Sequence, residues 1–463
     1  MAKVKSSSDK ISKILEKVSS QIKPDMSAVS DADFVVEKIN SILKKKKIDA
    51  ECVKGGSIAK GTFLKDDYDI DLFVRFNRSY EDKEISNILE PVIAEICKSM
   101  KTKLERIHGS RDYYQFTIQK AGKNKTDLKE LSFEIIPVIL IHASNHYDAN
   151  NSTDLSPEHV NWVLKHTKKN PELTSDIRLA KQFCKANKVY GAESYINGFS
   201  GHIIDILVIH FGSFINLIKK FSEFELDKIK DKPIIIDTEK HLTSPLKELN
   251  PSKITSLIVV DPIQPYRNSA AAVSLETLKK FIEVCKLFLK NPGEKFFEIK
   301  KYDIHQEMKD SLKQASKKSR MTDKKIIKLI LEITTVDGSK DVVGTKALKA
   351  YESMLENLKA NDFIVLGSGW NFDFEKKLAQ VFLLIDSNIT KHYIQRGPPV
   401  SSSADYKRFV DKHTSLKHKI LKKGNAVSAI VPRKFTDPVE LIKEISKKDP
   451  VVSKIKNIKI VRA

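Results

Sequence analysis

Cysteine is scarce in this 463-residue chain. Its four cysteines, Cys52, Cys97, Cys184 and Cys285, show no C-x-x-C spacing and no clustering with histidine, so the sequence suggests neither a zinc site nor a disulfide framework. Such usage suits a reducing compartment. Long apolar runs are also lacking: residues 203–211 and 133–141 are the longest candidates, far below the ~20 residues that cross a bilayer. The opening MAKVKSSS does not lead into a signal-peptide core, so a cytoplasmic location is expected. The sequence shows no internal repeat and no long tract expected to be disordered. Negative charge is in short supply, with 60 acidic residues against 81 basic ones, a formal net charge of +21 and a pI near 9.4. So large a basic excess repels itself unless a polyanion is the partner, and RNA or DNA is the usual one. A generally lysine-rich proteome is the alternative. The length suggests about three domains.

Read in order, residues 11–22 place Ile11, Ile14, Leu15, Val18 and Ile22 at helical spacing until Pro24 stops the pattern. A second amphipathic helix carries Phe34, Val35, Ile39, Ile42 and Leu43 and ends in four lysines, Lys44 to Lys47, a solvated helix end or a binding patch. Strands are predicted at 50–54, 69–76, 103–108, 113–119 and 131–138, with a helix over 80–100 and a lysine-rich hairpin loop over 120–129. This is a mixed α/β unit with one small sheet. From residue 157 the pattern turns helical, with helices expected over 157–167, 173–187 and 199–221. Farther on, strands are expected at 362–366 and 378–385. Alternating Lys with Val and Ile over 451–461 fits an edge strand or a nucleic-acid arm. Trp370, Phe372 and Phe374 read as core or turn.

The chemistry concentrates in residues 55–76, GGSIAKGTFLKDDYDIDLFVRF. Strand alternation puts Asp69, Asp71, Phe73 and Arg75 on one face and Ile70, Leu72, Val74 and Phe76 on the core face. Two neighbouring carboxylates repel unless a cation lies between them, and Mg²⁺, a hard ion that takes oxygen ligands, is the natural candidate. Ser57 and the adjoining amides suit phosphate oxygens. Glu134, alone among apolar neighbours on a later strand, is costly to bury without a partner. It is either a third metal ligand or a solvent-facing residue; Asp127 and Glu130 are weaker competitors. A Gly-Ser turn, paired aspartates on a strand and a later carboxylate form the signature of the nucleotidyltransferase superfamily.

Taken whole, the chain resembles the archaeal-type (class I) CCA-adding enzymes, the tRNA nucleotidyltransferases. The resemblance spans nearly the full length and rests on GGSIAKGTFL (55–64), DIDLFV (69–74), FEIIPV (133–138), RLAKQFCKANKVYGAE (178–193), GFSG (198–201), VVDPIQPYRNSAA (259–271) and RGPPV (396–400). It implies an α+β multidomain protein: a polymerase-β-like nucleotidyltransferase head with a mixed sheet (1–155), a helical neck completing the nucleotide site (156–275), an RNA-binding body part (276–345) and a tRNA-binding body and tail (346–463). It further implies two Mg²⁺ ions on Asp69, Asp71 and Glu134, triphosphate contacts from Ser57 and Lys60, and nucleotide contacts from His159, Lys181, Tyr190 and Arg267. Read without the family, His159 and Tyr190 are structural residues and Lys181 a solvated cation. CTP and ATP would be the substrates, tRNA the partner, and a homodimer the assembly. Two residues depart from the family pattern: Glu134 stands where aspartate is usual, and Lys60 where arginine is frequent.

Overall fold

The computed structural model describes residues 2–121, 128–141, 149, 151–319, 325–448 and 453–462. The chain forms two compact units, residues 1–300 and 301–463.

The first unit begins with α1 (Ala2–Ile22) and α2 (Ser27–Lys45), followed by β1 (Ala50–Lys54), α3 (Gly56–Lys60), β2 (Ile70–Phe76), α4 (Ile85–Met100), β3 (Glu105–Ile107), β4 (Tyr113–Ala121) and β5 (Leu128–Ile139). The five strands make one sheet in the order β1-β2-β5-β4-β3, with β2 and β5 parallel at its centre. The alternation in β2 fixes which face is covered. Ile70, Leu72, Val74 and Phe76 are fully buried with Ala32, Val35 and Ile39 of α2 and Leu89, Val92 and Ile93 of α4. Each large side chain removed from water contributes about 1.5–3 kcal/mol, so slipping β2 by one residue would exchange this face for the one bearing Asp71 and Arg75. The opposite face is left for the site.

After β5 come α5 (Ser156–Lys169), α6 (Glu172–Ala186), α7 (Gly201–Phe211), α8 (Phe214–Ser222), β6 (Ile234–Ile236), α9 (Pro245–Glu248), β7 (Leu257–Val259) and α10 (Leu275–Lys290). Their core is rich in phenylalanine: Phe183, Phe199, Phe214, Phe221, Phe281 and Phe288 are buried and largely edge-to-face. Such pairs add about 0.5–1.5 kcal/mol beyond area burial. Val18 of α1 is buried in this helical core, so the first helix of the chain packs against α6.

The second unit carries α11 (Ile304–Ser319), β8 (Ile326–Thr335), α12 (Lys340–Ala360), β9 (Val365–Asp373), β10 (Leu378–Asp386), β11 (His392–Pro399), α13 (Ser403–Ser415), β12 (Lys419–Lys423), β13 (Ala426–Pro432), α14 (Pro438–Ile445) and β14 (Ile455–Arg462). A four-stranded antiparallel sheet, β14-β8-β10-β9, buries Leu329, Leu331, Ile333, Val381 and Leu383 with α12 and α14. Ile330, Phe382 and Leu384 face Ile304 and Met308 of α11 on its other side. Of the lysine-alternating stretch, residues 455–461 lie in β14, an edge strand of this sheet, and residues 451–452 lie outside the described residues. Trp370 and Phe372 pack against the core as half-buried residues. A three-stranded sheet, β11-β13-β12, is accompanied by α13.

Several expectations are corrected. The helix over 199–221 is two helices bent by 90°, because Gly212 adopts φ +77° and the Ser213 side chain caps α8 by accepting from the Asn216 amide. The strand expected from Asp69 starts at Ile70, the helix expected from Tyr80 starts at Ile85, and the strand expected at 362 starts at Val365, after Asp362 turns the chain with φ +62°. Most of the expected hairpin loop, residues 122–127 with Asp127, lies outside the described residues. Among the described residues no single helix is long and apolar enough to cross a membrane.

Candidate active site

Parallel pairing of β2 with β5 sets Asp71 directly opposite Glu134. Neighbouring residues in register point to the same face, so the two carboxylates are brought together by strand order alone. Asp69, exposed and one residue before β2, completes an acidic group whose members interact electrostatically. Burial and the Asp69 charge push the Asp71 carboxyl up to about 6. Burial and the charges of Asp71 and Asp69 push Glu134 up to about 7. Carboxylates that resist ionisation because of burial and, after that, of one another are a donor set that a divalent cation relieves.

Gly55 and Gly56 shape the approach to these acids. A Cβ on Gly55 would overlap the Phe73 ring. On Gly56, whose φ is +51°, it would fall 2.6 Å from Asp71 Cγ and closer still to Oδ2. The turn therefore lies against the Asp71 carboxylate, where no side chain fits. Ser57 sits half-buried in α3, and its carbonyl accepts the Thr62 amide at 3.0 Å.

A cleft of about 330 Å³ opens beside this turn, with Lys60, Asp71, His159, His202 and Arg267 among its lining. Thus Lys60, Asp71, His159 and Arg267, drawn from α3, β2, α5 and the segment after β7, meet in one place. Lys181 lies behind it, 4% exposed, donating to Thr62 Oγ1 at 2.9 Å and lying 3.4 Å from Asp205. Burial lowers its ammonium to about 8, with Asp205 opposing the fall. Lys60 reaches the same Asp205 at 2.5 Å. Tyr190 is half-buried, with burial raising its phenol; Lys185 Nζ stands 4.8 Å from its ring centroid, and a Cβ on Gly201 would be 3.1 Å from its hydroxyl.

Three residues outside the expected set organise the cleft. Asp261, fully buried, accepts from His159 Nε2 at 2.8 Å, His202 Nε2 at 3.2 Å, Arg267 at 3.2 Å, Ser269 Oγ at 2.9 Å and the amides of Ile263 and Gln264. Burial alone would raise this carboxyl; the two imidazoles hold it well below the usual range. His159, His202 and Asp261 lie close enough to share a metal ion. The carboxylate is nevertheless already filled by hydrogen-bond donors, including a guanidinium, which makes it an anchor for the two imidazoles and Arg267. Asp205 is the third, fully buried on α7 between the two lysines. A lone acid within IIDILVIHF was the available signal, because a carboxylate in such a run needs a buried cationic partner.

The sequence profiles of three families match consecutive parts of the chain: a nucleotidyltransferase domain over residues 36–138, the second domain of tRNA nucleotidyltransferase over 175–298, and the C-terminal domain of CCA-adding enzyme over 328–459. The CCA-adding enzyme of Nanoarchaeum equitans is 28% identical over 445 residues, covering 94% of this chain and 96% of its own. That of Methanocaldococcus jannaschii is 27% identical over 445 residues, covering 94% and 90%. That of Picrophilus torridus is 34% identical over 264 residues, covering 57% and 54%. With three domains in family order and similarity running nearly end to end, the chain belongs to the archaeal-type CCA-adding enzyme family and is a tRNA nucleotidyltransferase.

Proposed function

We propose that this protein adds C, C and then A to the 3′ end of tRNA, using CTP and ATP and releasing pyrophosphate without a nucleic-acid template. The observation that carries the reading is the pairing of Asp71 with Glu134, against the Gly56 turn and beside the lysines at Asp205. The donor set is all carboxylate oxygen, which fits Mg²⁺, and Asp69, Asp71 and Glu134 would hold two such ions. Bound there, the ions would lower the pKa of the tRNA 3′-hydroxyl and neutralise charge on the leaving pyrophosphate. Ser57, Lys60 and Lys181 bind the triphosphate. His159 and Tyr190 orient the sugar and phosphates, and Arg267, fixed by Asp261, faces the base together with the RNA backbone. Glu134 supplies the same charge as aspartate one methylene farther out, and every other marker is intact, so we expect activity to be retained.

In this reading residues 1–155 are the catalytic head and 156–275 the neck that completes the nucleotide site. Residues 276–345 and 346–463 bind the acceptor stem and T arm, mainly by duplex shape and backbone charge. A homodimer goes with it, resting on the family resemblance alone, and a cytoplasmic location, resting on the lack of long apolar runs and of a signal-peptide core in the sequence. The test offers purified protein a tRNA lacking CCA, with Mg²⁺ and labelled CTP, ATP or UTP. Two C additions followed by one A support the proposal. A long A or U tract would point to another RNA 3′-terminal nucleotidyltransferase, and binding without extension to a non-catalytic RNA-binding relative.

A further inference from the structure

We propose that Asp205 is a positioning residue for nucleotide binding: a buried counter-ion on α7 that holds Lys60 of α3 and Lys181 of α6 in the places where they meet the triphosphate. The inference rests on the reading of Lys60 and Lys181 as triphosphate ligands.

The geometry is specific. Asp205 has no exposed surface, in a helix otherwise buried through Ile203, Ile204, Ile206, Leu207, Val208 and Ile209. A carboxylate placed there without partners would cost several kcal/mol. Its partners come from two other elements: Lys60 Nζ at 2.5 Å, with its side chain 10% exposed, and Lys181 Nζ at 3.4 Å, with its side chain 5% exposed. Lys181 also donates to the Thr62 hydroxyl and carbonyl at 2.9 and 3.3 Å. Lys60 and Thr62 flank the end of α3, so this ionic cluster ties the phosphate side of the site to the helices that complete it. Arg178, donating to the Gly61 carbonyl at 2.7 Å, and Lys185, paired with Asp67 at 2.6 Å, tie the same stretch to α6.

Two ammonium groups converging on one place repel each other, and the anion between them offsets that repulsion before nucleotide arrives. Two cations against one anion leave a net positive charge for the triphosphate. Asp205 Oδ1 makes no hydrogen bond among the described residues, so Lys181 is held by ion pairing at 3.4 Å, a contact that can yield as phosphate oxygens take its proton donors. The polar partners of Asp205 among the described residues are Lys60 and Lys181, so its effect passes through the lysines.

The test is steady-state extension of a tRNA lacking CCA by native protein, Asp205→Asn, Asp205→Glu and Lys60→Gln. Asp205→Asn is expected to raise KM for CTP and ATP about tenfold or more. Its kcat should stay within about threefold, and KM for tRNA should be unmoved, since a general loss of structure would move both KM values. Asp205→Glu, which keeps the charge, should recover most of the nucleotide KM. If Asp205→Asn leaves nucleotide KM unchanged while Lys60→Gln raises it, the role of Asp205 is refuted and the CCA-adding reading stands; if native protein extends no tRNA, both fall. Should Asp205→Asn not fold, native protein labelled at lysine Cε gives the answer by NMR. Immobilised Lys60 and Lys181 ammonium groups before nucleotide addition support the proposal, and freely rotating ones overturn it.

Discussion

Replacing Gly56 by alanine separates the geometry of this site from its stability. Gly56 has φ +51°, so any L-residue there carries a left-handed backbone cost of roughly 1–2 kcal/mol. The added methyl would also stand 2.6 Å from Asp71 Cγ, well inside contact distance, which forces the carboxylate aside. A displacement of about 1 Å in a reacting constellation is enough to cost on the order of 100-fold in rate. Gly61 supplies the control. Its φ of +65° imposes the same backbone cost, but the nearest atom to a new Cβ is Thr174 Cγ2 at 3.8 Å. Gly61→Ala should therefore lose about 1–2 kcal/mol in denaturant unfolding and Gly56→Ala at least as much, while Gly56→Ala loses about 100-fold or more in kcat for CTP incorporation and Gly61→Ala keeps most of its activity. Equal activity losses in the two variants, or Gly56→Ala within threefold of native, would refute the placement of the turn against Asp71.

The raised carboxyls give a pH prediction. Asp71 at about 6 and Glu134 at about 7 titrate above their unfolded values near 4, so in the absence of metal their contribution to stability is complete below pH ~4 and is lost as pH rises through 6 and 7. Because a cation takes the ionised forms, Mg²⁺ should raise the melting temperature more at pH 8 than at pH 5.5; an equal shift at both, or one that survives in Asp71→Asn/Glu134→Gln, contradicts the metal assignment. Glu134→Asp should retain activity and Glu134→Gln should lose it in tRNA extension assays; unchanged activity in both would remove Glu134 from the site. Asp261→Ala strips partners from His159, His202, Arg267 and Ser269 and should destabilise the first unit by about 3–5 kcal/mol, read by denaturant titration. Arg111, buried against Asp154 and Asp82, should show a loss of the same order on Arg111→Leu, because Asp154 would be left buried without its cation, holding only the Ile139 and Asn151 amides.

What the sequence determined by itself was local and periodic. The alternation of IDLFVRF set the core face of β2 and therefore the face carrying Asp71, and 3.6-residue spacing located α2, α5 and α6 to within a few residues. The order of short motifs along the chain was enough to identify the family. Tertiary structure decided what depends on elements far apart in sequence. That Asp71 meets Glu134 follows from β2 and β5 being parallel neighbours, which neither strand encodes alone. The bend at Gly212 was hidden because its flanks are equally apolar, so periodicity ran straight through the break. Asp205 and Asp261 could be seen as acids in apolar surroundings, but an acid does not name its partner. Only the packing of α7 against α3 and α6, and of the segment after β7 against α5, supplied the lysines, histidines and arginine that make their burial tolerable.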